Sequence, residues 1–295
     1  MTIKVEETLT TAGLTADVIP HLIWNEVLLG VRKRQVFEEA FQVSDMLIGS
    51  YGTKISVPIL STRFTAGTAT EAAIDSSGYT VTDPAVTDID ITIGDVVYVA
   101  ARLGDILKED QPKFNWVAII LQDMAYAVTE YRDGALRDVL LATVGNSNSA
   151  ATFGTLVHKD VTDTLALMKA DSWFPEDGVP LFYLHPDQES DLMTDDRYVD
   201  TKRYSVGGLP TLQTGEGSLY AGTRPRVTDN MVPALALIVM PPTHRFGPAA
   251  ITAWKRRLTV KSDREERFGR ELWITSMRYG SAVVQSNAIG LVTGC

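Results

Sequence analysis

The apolar positions are most regular in the middle of the chain. Trp116, Ile120, Met124, Ala127, Tyr131, Ala135, Val139 and Leu140 follow one another at helical spacing up to Gly145. With Asp110 as cap and Pro112 in the first turn, the pattern predicts a helix of about thirty residues, a rod of roughly 45–50 Å. Gly134 inside it costs about 1 kcal/mol relative to alanine, which so long a helix absorbs. Upstream, Ile23, Val27, Val31, Phe37 and Phe41 give a second helical pattern, ended by Gly49, Tyr51 and Gly52. It carries too few apolar positions to fold alone and is expected to be an arm docked on something larger.

Between these two stretches the period changes to that of β-structure. Ile55–Leu60 and Ile89–Ala101 are strand-like, and Ile89, Ile91 and Ile93 alternate with Asp90 and Thr92. The intervening Gly, Ala, Thr and Ser from Thr65 to Thr80 build little core, so a long hairpin with a polar, projecting tip is expected. After the linker Gly145–Gly154 the pattern alternates: a helix near Val161–Ala170, a strand at Leu181–Leu184, a helix opened by His185-Pro186, then turns around Gly207, Gly208, Gly215 and Gly217. Candidate strands close the chain at Leu237–Met240, Leu258–Lys261, Leu272–Met277, Ala282–Gln285 and Ala288–Val292.

Charge changes this picture more than composition does. The chain has 295 residues, 45% of them hydrophobic, enough for a sizeable core, and its formal net charge of −10 argues against a surface matched as a whole to nucleic acid. From Phe64 to Ala101 there is no Lys or Arg, while Glu71, Asp75, Asp83, Asp88, Asp90 and Asp95 make the hairpin acidic. Trp254–Arg278 is the reverse, with Lys255, Arg256, Arg257, Lys261, Arg264, Arg267, Arg270 and Arg278. Each stretch reads either as a solvated strand face or as half of a contact in which the acidic hairpin of one copy lies on the basic strands of another. On the second reading Glu71, Asp75 and Asp83 face Arg256, Arg257, Arg264 and Arg267 across a subunit interface. The basic strip could instead touch nucleic acid, although it holds few stacking aromatics, Trp254 and Phe268 among them.

Signals for chemistry are weak. His21, His158, His185 and His244 stand singly, and the one cysteine, Cys295, can form neither an internal disulfide nor a zinc cage. Gly215, Gly217 and Gly222 lack the spacing and the following Lys-Ser/Thr of a phosphate loop. Asp187, Glu189, Asp191, Asp195 and Asp196 are expected to be a solvated helix face rather than a metal site. The expectation is a protein without catalytic, cofactor-binding or metal residues, neither secreted nor membrane-spanning: Met1–Thr11 is not a signal peptide, and Ala234–Met240 is too short to cross a bilayer.

Arm, hairpin, long helix, α/β lobe and returning strands, in that order, resemble the Hong Kong 97-like major capsid protein of tailed double-stranded DNA viruses over nearly the whole chain. Leu184-His185-Pro186-Asp187 with Leu192, Gly207-Gly208-Leu209-Pro210, and Arg278-Tyr279-Gly280 with Val283-Val284 carry the resemblance. It implies an α+β fold with an N-terminal arm (1–50), an extended loop (51–101), a peripheral domain holding the spine helix (102–150), an axial domain (151–232) and peripheral C-terminal strands (233–295). It further implies hexamers and pentamers in a closed icosahedral virion shell assembled in the host cytoplasm. Packaged double-stranded DNA would be touched non-specifically inside, with scaffolding, portal and decoration proteins as further partners. No lysine lies between Lys54 and Lys108, so the lysine–asparagine cross-link of some family members is not expected at the loop tip. Two rivals stay open: an encapsulin-like nanocompartment shell, and a soluble α/β enzyme with an unrecognised site.

Overall fold

The computed structural model describes residues 35–60, 83–105, 116–171, 178–194, 221–243 and 247–295. Eleven strands and three α-helices lie within them. A four-stranded sheet has the order β1 (Phe41–Ser44), β9 (Ala250–Glu265), β10 (Arg270–Val283), β4 (Val97–Gly104). A five-stranded sheet runs β5 (Asn146–Ser149), β11 (Ile289–Thr293), β8 (Leu235–Val239), β6 (Leu181–Leu184), β7 (Arg224–Val227). The hairpin is a separate two-stranded ribbon of β2 (Lys54–Leu60) and β3 (Val86–Thr92).

The long helix, α1 (Trp116–Ala142), has 27 residues, about 40 Å of rod, and packs on β10 and β4. The expected Asp110 cap and Pro112 lie outside the described residues. Its buried stripe, Met124, Val128, Arg132, Leu136 and Leu140, steps by four, with Asp133 beside it. That departs from the expected face: Tyr131 is exposed, while two charged residues are buried. Helix α2 (His158–Ala170) packs on β11 and β5, and α3 (Pro186–Thr194) follows β6 directly. One large core includes Phe37, Leu136, Leu140, Phe182, Tyr183, Ile238, Trp254 and Met277, and so spans both larger sheets.

Several expectations are corrected by pairing across the chain. Of the expected arm helix, Phe37–Ala40 is a 3-10 turn and Phe41 opens β1, parallel to β9, while Ile23, Val27 and Val31 lie outside the described residues. Phe37 stacks on Tyr183 at 4.7 Å and is fully buried, so tertiary contacts outweigh helical spacing. The run Ile89–Ala101 is two strands: β3 pairs with β2, and after Ile93–Val96 β4 pairs with β10 in another sheet. Leu258–Lys261 is the middle of a 16-residue strand, and Leu272–Met277 belongs with Ala282 to a single 14-residue one. The strands expected as a C-terminal peripheral set divide between two sheets, because β8 and β11 pair with β6 and β5.

A close approach of backbones fixes the root of the hairpin. Gly94 N–H donates to the Tyr279 carbonyl at 3.0 Å, and Arg278 Nε donates back to the Gly94 carbonyl at 2.9 Å. A side chain at Gly280 would lie 2.3 Å from the Thr92 carbonyl oxygen, so only glycine permits this contact. Below it a small core of Leu47, Ile91, Ile93, Ile251, Ala253 and Val284 seals the junction. Gly280→Ala is therefore expected to destabilise the chain by about 2–3 kcal/mol through forced displacement of the hairpin root. A lowered midpoint in urea unfolding checks this; an unchanged midpoint contradicts it.

Candidate assembly surface

β9 and β10 run out to the turn Glu266–Phe268, with β4 paired along the outer half of β10. β1 pairs with β9 only over Phe41–Ser44 against Ala250–Ala253, so beyond Ala253 the outer edge of β9 has no strand partner among the described residues. Asp45 holds Arg257, and the Ser50 carbonyl accepts from Lys255 Nζ, so the turn after β1 lies along the first part of that edge. Further out, Leu258, Val260 and Phe268 are exposed apolar residues on the ribbon, and Val86, Val96 and Tyr98 are exposed on or beside the hairpin and β4.

The tip of the ribbon is braced by its own charges. Arg264 reaches Asp105 at 2.9 Å, Glu266 at 2.8 Å and Glu271 at 3.5 Å. The hydrogen-bonded Asp105, then Glu266, hold the Arg264 guanidinium even above the usual arginine range. Arg270 pairs with Glu265, which also lies 3.7 Å from Arg102. The turn Glu266–Phe268 ends on Gly269 at φ 55°, and Arg270 and Arg267 sit 4.4 and 5.7 Å from the Phe268 ring centroid. Exposed pairs of this kind are each worth about 0–1 kcal/mol, so they shape the tip more than they stabilise the fold.

Glu71 and Asp75 lie outside the described residues, and Asp83 is exposed ahead of β3. Within one chain Arg257 and Arg264 are already engaged by acids. Arg256 is half-buried opposite Arg278, and its Nε makes no hydrogen bond. Arg267 and Lys261 are exposed and make no ion pair among the described residues. On the hairpin, Asp90 bonds Lys54 Nζ and the Ser56 hydroxyl, which lower its pKa. Among the described residues no acid of the hairpin meets a cation of the basic tip within one chain. Of the acids on α3, Asp187 lies 3.1 Å from His185 Nδ1, Asp191 accepts from Leu156 N–H at 3.2 Å, and burial raises the pKa of Glu189. Asp195 and Asp196 lie outside the described residues.

Sequence reasoning missed a buried polar joint where the arm enters the body. Asp133 Oδ1 accepts from the backbone N–H groups of Val36 (3.1 Å) and Phe37 (2.9 Å), and Oδ2 accepts from Asn230 Nδ2 at 2.9 Å. Arg137 on the next turn of α1 donates to the Asn230 carbonyl at 2.5 Å. Arg132 lies 4.2 Å from the Trp254 ring centroid and pairs with Glu38 at 2.9 Å, while Arg226 of β7 pairs with Glu39 at 2.8 Å. Burial pushes the Asp133 pKa up, against the pull of those hydrogen bonds and of the Arg132 charge. Val36, Glu38, Glu39, Arg132, Asp133 and Arg226 line a cavity of about 280 Å³ between arm root, α1 and β7. The stripe read from the sequence ran through Tyr131 and so gave no signal for the pair Arg132 and Asp133.

No protein-family model matches the chain, and no curated protein matches it in sequence. Solved structures do. The capsid of cyanophage P-SCSP1u aligns with TM-score 0.71 at 15% identity, over 92% of this chain and 91% of that one. Mycobacterium phage Che8 gives 0.73 at 15%, over 94% and 97%, and the capsid of a native GTA particle 0.67 at 15%, over 95% and 97%. The chain thus has the α+β fold of phage capsid subunits. More particularly, arm root, hairpin, spine helix and the two larger sheets make it a Hong Kong 97-like capsid fold.

The two polar systems should respond differently to truncation. Arg264→Ala, on the exposed tip, is expected to leave stability almost unchanged. Asp133→Ala leaves three buried N–H donors unpaired and is expected to cost about 3 kcal/mol or more. Denaturant unfolding of both variants measures the contrast, and equal losses would contradict it.

Proposed function

We propose that the protein is a major capsid protein that self-assembles into the icosahedral shell around the double-stranded DNA genome of a tailed virus. The observation that carries this reading is physical. The hairpin and the outer end of the four-stranded sheet carry exposed apolar side chains, and among the described residues the outer edge of β9 beyond Ala253 has no strand partner, surfaces a monomer does not leave bare without a partner. The fold supports it, being shared along almost the full length of the chain with structures described as phage and GTA capsids. The role is structural rather than catalytic, and no helix among the described residues is long and apolar enough to cross a membrane.

In this reading 1–50 is the arm and 51–101 the extended loop that overlap neighbours. The spine helix and the β9–β10 ribbon form the peripheral body, and the five-stranded sheet belongs to the axial lobe around five-fold and quasi-six-fold centres. Packaged DNA lies inside, touched without sequence preference, and scaffolding, portal and decoration proteins complete the particle. The loop of one copy lies against the ribbon of the next, with charge setting the register. Arg267 and Lys261 are the cations with charge to spare for Glu71, Asp75 and Asp83, with Arg256 beside them, whereas Arg257 and Arg264 serve mainly to hold their own chain together.

Reversing Glu71 and Asp75 to Lys is expected to cut the yield of closed shells at least tenfold while leaving the subunit folded, as would Arg267→Glu. Negative-stain microscopy with circular dichroism of the subunit decides this, and normal shells from both variants would sink the contact. With no lysine at the loop tip, particles boiled in detergent are expected to run as a single monomer band. A ladder of linked subunits would contradict a shell held without covalent bonds. Purified particles carrying a co-purified enzyme in place of DNA would favour the nanocompartment reading, and a monomer that turns over a substrate would overturn the shell altogether.

A further inference from the structure

Asp133 is 4% exposed and bonds two different parts of the chain at once. Oδ1 takes both N–H groups of the arm root, and Oδ2 takes only the amide of Asn230, in the loop that follows β7. Among the described residues the loop is also held by Met231, which is buried in the core, and by backbone bonds of its own. Thr228 N–H donates to the Leu184 carbonyl, Met231 N–H to the Thr228 carbonyl, and Asn230 N–H to the Thr228 hydroxyl. Arg137 holds the Asn230 carbonyl and lies 3.3 Å from its Oδ1, which fixes the amide with its Nδ2 toward Asp133.

All three bonds to this carboxylate come from donors. Oδ1 already accepts twice, so an added proton goes to Oδ2, which accepts once; the oxygen facing Asn230 then changes from a charged carboxylate oxygen to a hydroxyl oxygen, a much weaker acceptor. Turning the Asn230 amide to accept the proton would set Nδ2 against the Arg137 guanidinium.

We propose that Asp133 is a protonation-operated lock: as carboxylate it couples the arm root and the spine helix to the Asn230 loop, and as carboxylic acid it releases that loop while keeping the arm. The groups facing the carboxylate are Glu38 and Glu39 on the arm root, Arg132 and Arg137 on α1, Arg226 on β7 and Tyr183 on β6. Both arm-root acids are paired with arginines, Glu38 with Arg132 and Glu39 with Arg226. Burial raises the Asp133 pKa above its unfolded value. A group raised in this way adds stability that is fully present below its unfolded pKa and is lost as pH rises through the folded one. Acidification thus protonates Asp133 within the folded chain, where the lock opens, instead of unfolding the body through this group.

Hydrogen exchange of the full-length chain tests the lock in a peptide spanning residues 228–231, corrected for intrinsic rates, between about pH 7 and about pH 4.5. In the wild type protection of this peptide is expected to fall about tenfold on acidification, the equivalent of one buried charge-assisted bond. Asp133→Asn places an NH2 against the Asn230 amide and should show the low protection already at neutral pH, with a flat profile. Asn230→Ala removes the same bond without touching the carboxylate, and decides the matter if the first variant misfolds by circular dichroism. Wild-type protection that does not change with pH would overturn the lock. So would wild-type protection at neutral pH in whichever variants fold.

Discussion

The buried carboxylate of Asp133 is the constraint on which the arrangement of the parts depends. The arm root brings backbone N–H groups into the core, and a buried N–H must be paired or costs a kilocalorie or more. Ordinary secondary structure does not supply the partner, because Val36 and Phe37 precede the strand that takes them into the sheet. The long helix supplies it by turning an acid inward. Once Phe37 is placed, it stacks on Tyr183, Phe41 enters beside Ala250, and β1 closes the inner edge of the four-stranded sheet. The helix, the arm and both larger sheets thereby share one core.

That arrangement decides what stays outside. β1 is only four residues long, so it covers a quarter of the 16-residue β9, and among the described residues the remainder of that strand pairs only with β10. The hairpin, a sheet of its own, is tied to β10 through a contact so tight at Gly280 that its root cannot shift without breaking bonds to Tyr279 and Arg278. Charges at the ribbon tip neutralise one another and hold its shape, which leaves a small set of exposed cations at its end.

Much of this was legible because local chemistry wrote it. Leu181–Leu184 followed by His185-Pro186 read as a strand feeding a helix. In the structure His185 Nδ1 accepts from Asp187 N–H, and Gln188 accepts from His185 N–H and reaches Cys295 with its amide. The segment Arg278-Tyr279-Gly280 was distinctive without an evident reason, and the reason is the close approach of Thr92. What could not be read is pairing between distant segments. Ile89–Ala101 looks continuous, but it changes sheets at Gly94 because one half finds β2 and the other β10. Nothing in Leu235–Val239 or Ile289–Thr293 distinguishes their sheet from the one β9 and β10 build.

The misread face of the spine helix is the most instructive case. Hydrophobic spacing put Tyr131 inside and left Arg132 and Asp133 out, since a charged residue counts against burial when each position is weighed alone. Their burial becomes affordable only in company. Arg132 lies over Trp254 and pairs with Glu38, and Asp133 is met by three donors from two distant segments. Such a joint contributes little net stability compared with apolar packing, because desolvating its charges offsets most of what the bonds return. What it adds is direction: apolar contacts tolerate sliding, whereas one carboxylate facing three donors accepts few geometries. In the proposed shell, a subunit that presents the same surfaces to several neighbours at fixed angles has more use for that direction than for extra stability.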